Sequence, residues 1–197
     1  ILYSICIWFT LILSVLNHYD KYFSLKIHKL SLGLFDYVFV FGAFVFGSKF
    51  MPVTIIMSIF VLDLAGFLYL FLTCIITVSI TQFGKKVTRR HRPDPKTLGV
   101  KILDFRTRLT NFSFPSGDTA QSACYGTALY LITGNPWTWL LIPNCAWSRI
   151  YFGCHFIGDC IFGALTGIIV SYALYHFIPQ NRFKLTQNII EDWIYGM

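Results

Sequence analysis

The chain has 197 residues, of which 55% are hydrophobic, 18% aromatic and only 13% charged, with a mean hydropathy of +0.61. A soluble domain carries roughly 25% charged residues, so this composition excludes one and points to an integral membrane bundle. The net charge of +7 is concentrated, with nine of the 16 Lys and Arg between Lys85 and Arg108. A basic cluster wedged between apolar segments argues against nucleic acid and for a membrane surface or an anion site.

Taken in order, Ile1 to Asn17 is apolar and marginally long enough to span, and His18 to Leu30 reads as a polar loop. Leu32 to Gly47 is a second apolar run. Val53 to Phe83 is a third, interrupted only by Asp63. At ~1.5 Å per residue it would reach about 46 Å, beyond a hydrocarbon core of ~30 Å, so it must tilt, kink near Gly66 or project. Asp63 is read as a proton-relay residue or as a partner for a donor on a neighbouring helix. Gly84 to Phe114 is the basic loop and holds the Asn-x-Ser sequon at Asn111.

Ser116 to Thr133, Trp137 to Trp147 and Gly158 to Phe177 complete six expected spans. Gly163 and Gly167 have the spacing of close helix packing. The tail from Pro179 to Met197 could lie on the membrane surface through Ile189, Ile190, Trp193 and Ile194. The six Cys are scattered without metal-ligand spacing, so neither disulfides nor zinc are expected.

Six spans put loops 18–30, 84–114 and 148–157 on one face, leaving Lys49, Arg182 and Lys184 on the other. Three polar clusters share the loop face: Lys85 to Pro93, Phe114 to Asp118 and Ser148 to Asp159. Ionisable residues beside apolar spans are costly and read as functional. His155 and Asp159 are four apart and share a face if helical, so the carboxylate can fix the imidazole tautomer and free the other nitrogen to attack an electrophile. Arg149 offers a planar fork suited to phosphate. The plainer alternative is a snorkelling arginine and a capping histidine. Lys85, Arg92 and Arg149 could surround one phosphoryl group, and Ser116 and Gly117 sit at a helix start, where backbone N–H groups favour anions.

With its order Lys85-x6-Arg92-Pro93, Pro115-Ser116-Gly117 and Ser148-Arg149-x5-His155-x3-Asp159, the chain resembles the type 2 phosphatidic acid phosphatase (PAP2) superfamily of membrane lipid phosphatases. The resemblance implies an all-α membrane protein with about six transmembrane helices in a PAP2-type bundle. It also implies one transmembrane domain over residues 1–197 with its core at about 50–178. By resemblance, His155 is a nucleophile that forms a phosphohistidine, and Asp159 orients it. Lys85, Arg92, Ser116, Gly117 and Arg149 hold the phosphate oxygens, with no metal and no cofactor. The partners implied are a lipid phosphate or diphosphate and membrane lipids. Relatives place this face on the lumenal or extracytoplasmic side, whereas the charge bias points to the cytosol.

One position departs from the family pattern. Asp118 stands where the family has a histidine that protonates the leaving group. An aspartate ordinarily titrates near ~3.9. Three readings follow: Asp118 is a general acid shifted by its surroundings, the substrate needs no strong acid, or the protein binds without turnover. A lipid phosphate phosphohydrolase and a non-enzymatic binder of phospholipid headgroups are therefore both carried forward. A vanadate haloperoxidase shares the constellation but is soluble, which the apolar spans oppose.

Overall fold

The computed structural model describes residues 2–47, 50–60, 62–103 and 111–177. Its helices are α1 (Leu2–His28), α2 (Asp36–Val45), α3 (Met51–Met57), α4 (Leu64–Thr88), α5 (Gly117–Thr133), α6 (Leu141–Tyr151) and α7 (Ile157–Tyr175), joined by short 3-10 turns. Among the described residues, α4 and α7 are each long and apolar enough to cross a membrane, with mean hydropathies of 2.1 and 1.7. That makes two such helices against the six spans expected from sequence. At ~1.5 Å per residue, α2 and α6 are each roughly 15 Å long, about half the hydrocarbon thickness.

Several expected boundaries move. The polar stretch from His18 is not a loop, because α1 continues to His28; its Ser24 and His28 are buried and polar, bonded to other elements. The long third run breaks at a 3-10 turn over Ser58–Phe60. α4 then starts on Asp63, whose carboxylate caps it by accepting from Gly66 N at 2.8 Å. An aspartate in an apolar run thus marks a helix start, since it satisfies a backbone donor that the helix leaves open. The surface-helix reading of the tail falls outside the described residues.

α5 is the central helix, packed most extensively on α7 and also on α4 and α6. Its small side chains permit this. Ala120, Ala123, Cys124 and Ala128 are fully buried, and α7 presents Gly163 and Gly167 to it. A methyl group at Gly163 would lie 2.4 Å from the Ser116 carbonyl oxygen, and one at Gly167 would lie 2.2 Å from that of Ala120. Backbones approach this closely only over glycine, the packing mode expected in lipid. The consequence is positional: the start of α5 is fixed against the first turns of α7. The five cysteines with described side chains are free thiols, and the Cys74 and Cys124 sulfurs lie 3.6 Å apart between α4 and α5.

Candidate active site

α4 ends at Arg89, which adopts the left-handed conformation (φ 48°) and turns the chain back across the bundle. This turn delivers Arg90 and Arg92. Lys85, on the last turn of α4, is buried and donates to the carbonyls of Phe112 (2.9 Å) and Ser113 (3.4 Å). Arg92 donates to the Asn111 carbonyl at 2.9 Å, to the Asn111 side chain at 2.5 Å and to the Cys154 carbonyl at 2.5 Å.

His155 lies in the turn between α6 and α7, almost fully buried. It precedes α7, so its contact with Asp159 comes from a helix N-terminal turn and not from one face of a continuous helix. Asp159 Oδ2 accepts from Phe156 N at 2.9 Å and from the Ser113 hydroxyl. The same oxygen faces His155 Nδ1 at 3.5 Å, a long approach of the kind common in unliganded sites. On the other side of the ring, an Arg92 nitrogen lies 3.2 Å from Nε2. A guanidinium only donates, so Nε2 accepts and the ring proton sits on Nδ1, toward Asp159. Burial, reinforced by the Arg92 and Arg149 charges and opposed by Asp159, pushes the His155 pKa down to about 3. The imidazole is therefore neutral, with its lone pair toward the cationic cluster.

Arg149, near the end of α6, is buried and pairs with Asp118 at 2.8 Å. Its Nε has no hydrogen-bond partner among the described residues. Lys85, Arg92, Arg149, Asp118 and Asp159 all lie within electrostatic reach of one another. Burial lowers the Arg92 pKa. The Ser116 hydroxyl is already used: it caps α5, accepting from Thr119 N at 3.4 Å and contacting the Thr119 hydroxyl at 2.9 Å. Its N–H donates to the Asp159 carbonyl. The first-turn N–H groups of Gly117 and Asp118 are among the backbone donors that a helix start leaves open.

Sequence reasoning placed the basic run but missed Arg90, Ser113, Asn111 and Asp20. Arg90 donates to Asp159 Oδ1 at 2.5 Å and to Asp20 at 2.7 Å. Asp20, an acid in a segment otherwise rich in lysine, was the signal available. A cleft of about 350 Å³ between α3, α4 and the start of α5 is lined by apolar groups such as Phe46, Met51, Ile55 and Val78 and also by Thr81, Gly117 and Asp118.

The PAP2 superfamily model matches residues 66–183, which include all three polar clusters. The chain belongs to the PAP2 superfamily. Among its relatives, the decaprenylphosphoryl-5-phosphoribose phosphatase of Mycobacterium tuberculosis is 33% identical over 93 residues, 47% of this chain and 50% of that protein. The chain thus matches about half the length of that relative. An undecaprenyl-diphosphatase from Sulfolobus acidocaldarius is 28% identical over 141 residues, 66% of this chain and 67% of that protein. The fold is that of solved PAP2 membrane proteins. The phosphatidylglycerolphosphate phosphatase of Bacillus subtilis superposes with a TM-score of 0.65 at 20% identity, over 83% of this chain and 86% of its own. LpxE of Aquifex aeolicus gives 0.65 at 24% identity, over 77% and 92%.

Proposed function

We propose that this PAP2 protein is a multi-pass, metal-independent membrane phosphatase that hydrolyses a lipid phosphate or lipid diphosphate through a phosphohistidine. The observation that carries this reading is the buried His155 ring, with Asp159 3.5 Å from Nδ1 and an Arg92 nitrogen 3.2 Å from Nε2, beside the buried cations Lys85 and Arg149. His155 Nε2 attacks phosphorus, a P–N bond forms and the P–O bond to the leaving group breaks. Asp159 stabilises the resulting imidazolium through Nδ1–H. Lys85, Arg92, Arg149 and the N–H groups of Gly117 and Asp118 meet the phosphate charge where it develops. Water then cleaves the P–N bond and regenerates the histidine.

The mostly apolar cleft that Asp118 helps to line supports a lipid chain entering from the bilayer, and the relatives named for polyprenyl lipids support a long one. Family orientation supports an extracytoplasmic active face. Asp118 pairs with Arg149, and a diphosphate, whose leaving phosphate is already a stable anion, makes the least demand on this position for a proton. The same contact favours the second reading, a headgroup binder without turnover, since the carboxylate occupies a phosphate ligand. Phosphate release by purified protein from mono- and diphosphate lipids, with His155→Ala as control, separates the two. Release from neither lipid by the wild type would exclude the phosphatase.

A further inference from the structure

Arg90 lies outside the family motif, yet its side chain is largely buried, at 18% exposed. One nitrogen donates to Asp159 Oδ1 at 2.5 Å, and the other donates to Asp20 Oδ2 at 2.7 Å and Asn17 Oδ1 at 2.8 Å. The guanidinium carbon stacks 4.4 Å from the centre of the Phe156 ring. α1 grips the same turn directly: Asp20 Oδ1 accepts from Gly158 N at 2.8 Å, and the Ser24 hydroxyl accepts from Ile157 N at 2.9 Å.

We propose that Arg90 is a positioning residue that ties α1 to Asp159 and sets the orientation and effective charge of the carboxylate behind His155. A carboxylate can rotate about its last bond. Taking Oδ1 with Arg90 reserves Oδ2 for Ser113, Phe156 N and His155. Arg90 also offsets the negative charges of Asp159 and Asp20, so its removal leaves Asp159 beside His155, and Asp20 behind it, without that cation. The imidazolium is then favoured and the proton affinity of His155 rises. The other groups around His155 are Arg92 from the loop after α4, Lys85 from α4, Arg149 from α6, Asp118 from α5 and His28 from α1, whose Nε2 lies 3.2 Å from the His155 carbonyl. None of these is altered by a change at Arg90.

The inference rests on the phosphatase reading and is tested by kcat, KM and pH profiles of phosphate release in detergent. Arg90→Gln is expected to lower kcat about 10²-fold with KM changed little, the scale of a small misplacement of reacting groups. It also moves the acid limb of kcat/KM up by about one pH unit, a tenfold gain in proton affinity. Arg90→Lys keeps the acid limb but recovers only part of kcat, since a point charge cannot hold two carboxylates at fixed angles. Asp20→Asn moves the limb the other way, because it leaves Arg90 wholly to Asp159. Lys86→Gln removes an exposed cation from the same segment and changes neither quantity. An unmoved acid limb in Arg90→Gln, with or without a loss of kcat, overturns the proposal. If Arg90→Gln does not fold, the opposite shift in Asp20→Asn and the retained limb in Arg90→Lys decide it. If the wild type releases no phosphate, the functional reading fails, and ¹⁵N titration of His155 carries the same test: a raised midpoint in Arg90→Gln supports the proposal and an unchanged one overturns it.

Discussion

Replacing Asp118 by Asn removes one charge from the middle of the site and little volume. Asp118 is 19% exposed and its partner Arg149 6% exposed, at 2.8 Å. A hydrogen bond to a charged group at such a place contributes ~1.5–3 kcal/mol. A phosphate that takes the Arg149 donors must displace this contact and also meets the carboxylate's repulsion. With 1.4 kcal/mol per tenfold, Asp118→Asn is expected to tighten inorganic phosphate or vanadate by about 10- to 100-fold. Asp118→Glu, which keeps the charge, serves as the control and gains far less. The assay is the competitive inhibition constant against a lipid diphosphate, with kcat for a monophosphate lipid measured beside it. If Asp118 is instead the proton donor, Asp118→Asn leaves the inhibition constant unchanged and lowers monophosphate kcat by ~10²–10⁴-fold. That pair of results would refute the displacement picture.

Other outcomes follow from the same geometry. Asp118→His should raise monophosphate turnover more than diphosphate turnover; equal gains would remove the leaving-group explanation. His155→Ala should abolish phosphate release, whereas His91→Ala, at an exposed site beside Phe112, should retain it. Arg149→Lys should lower kcat/KM about 10²-fold through loss of fixed donors, while Arg106→Lys and Arg108→Lys, outside the described residues, should be tolerated. His155 titrates near ~6.5 when unfolded but at about 3 in the fold. Its depressed pKa therefore removes stability as pH falls from ~6.5 toward 3, because only the unfolded chain takes up the proton; the loss of thermal midpoint between pH 7 and pH 5 should shrink in His155→Gln. Gly167→Ala should destabilise by ~1–3 kcal/mol through overpacking, read as a lower thermal midpoint in detergent. A glycosylation tag beside the exposed Lys96 should be modified in a eukaryotic host if the active face is lumenal; a tag in the 18–30 segment would disrupt α1 itself.

The family and the membrane setting were legible in the sequence, and so was the choice of His155, Asp159, Arg149, Lys85 and Arg92 as candidates. Each depends on side-chain chemistry at short, fixed spacing, and burial of charge between apolar runs is conspicuous in composition alone. Helix boundaries were legible only in part. Asp63 looked like a polar interruption of one span because a capping carboxylate and a buried one are indistinguishable until the backbone around them is placed. His18 to His28 looked like a loop because its polar residues are satisfied by partners more than 100 residues away, such as His155, Ile157 and Gly158. Only the tertiary structure showed what each arginine of the cluster touches. Arg89, Arg90 and Arg92 are equivalent as charges along the chain. The left-handed turn at Arg89 sends Arg90 to Asp159 and Arg92 to His155. It was likewise tertiary packing, of α5 on α6, that placed Asp118 against Arg149, because an ion pair between distant segments is set by where the helices cross and not by any local pattern.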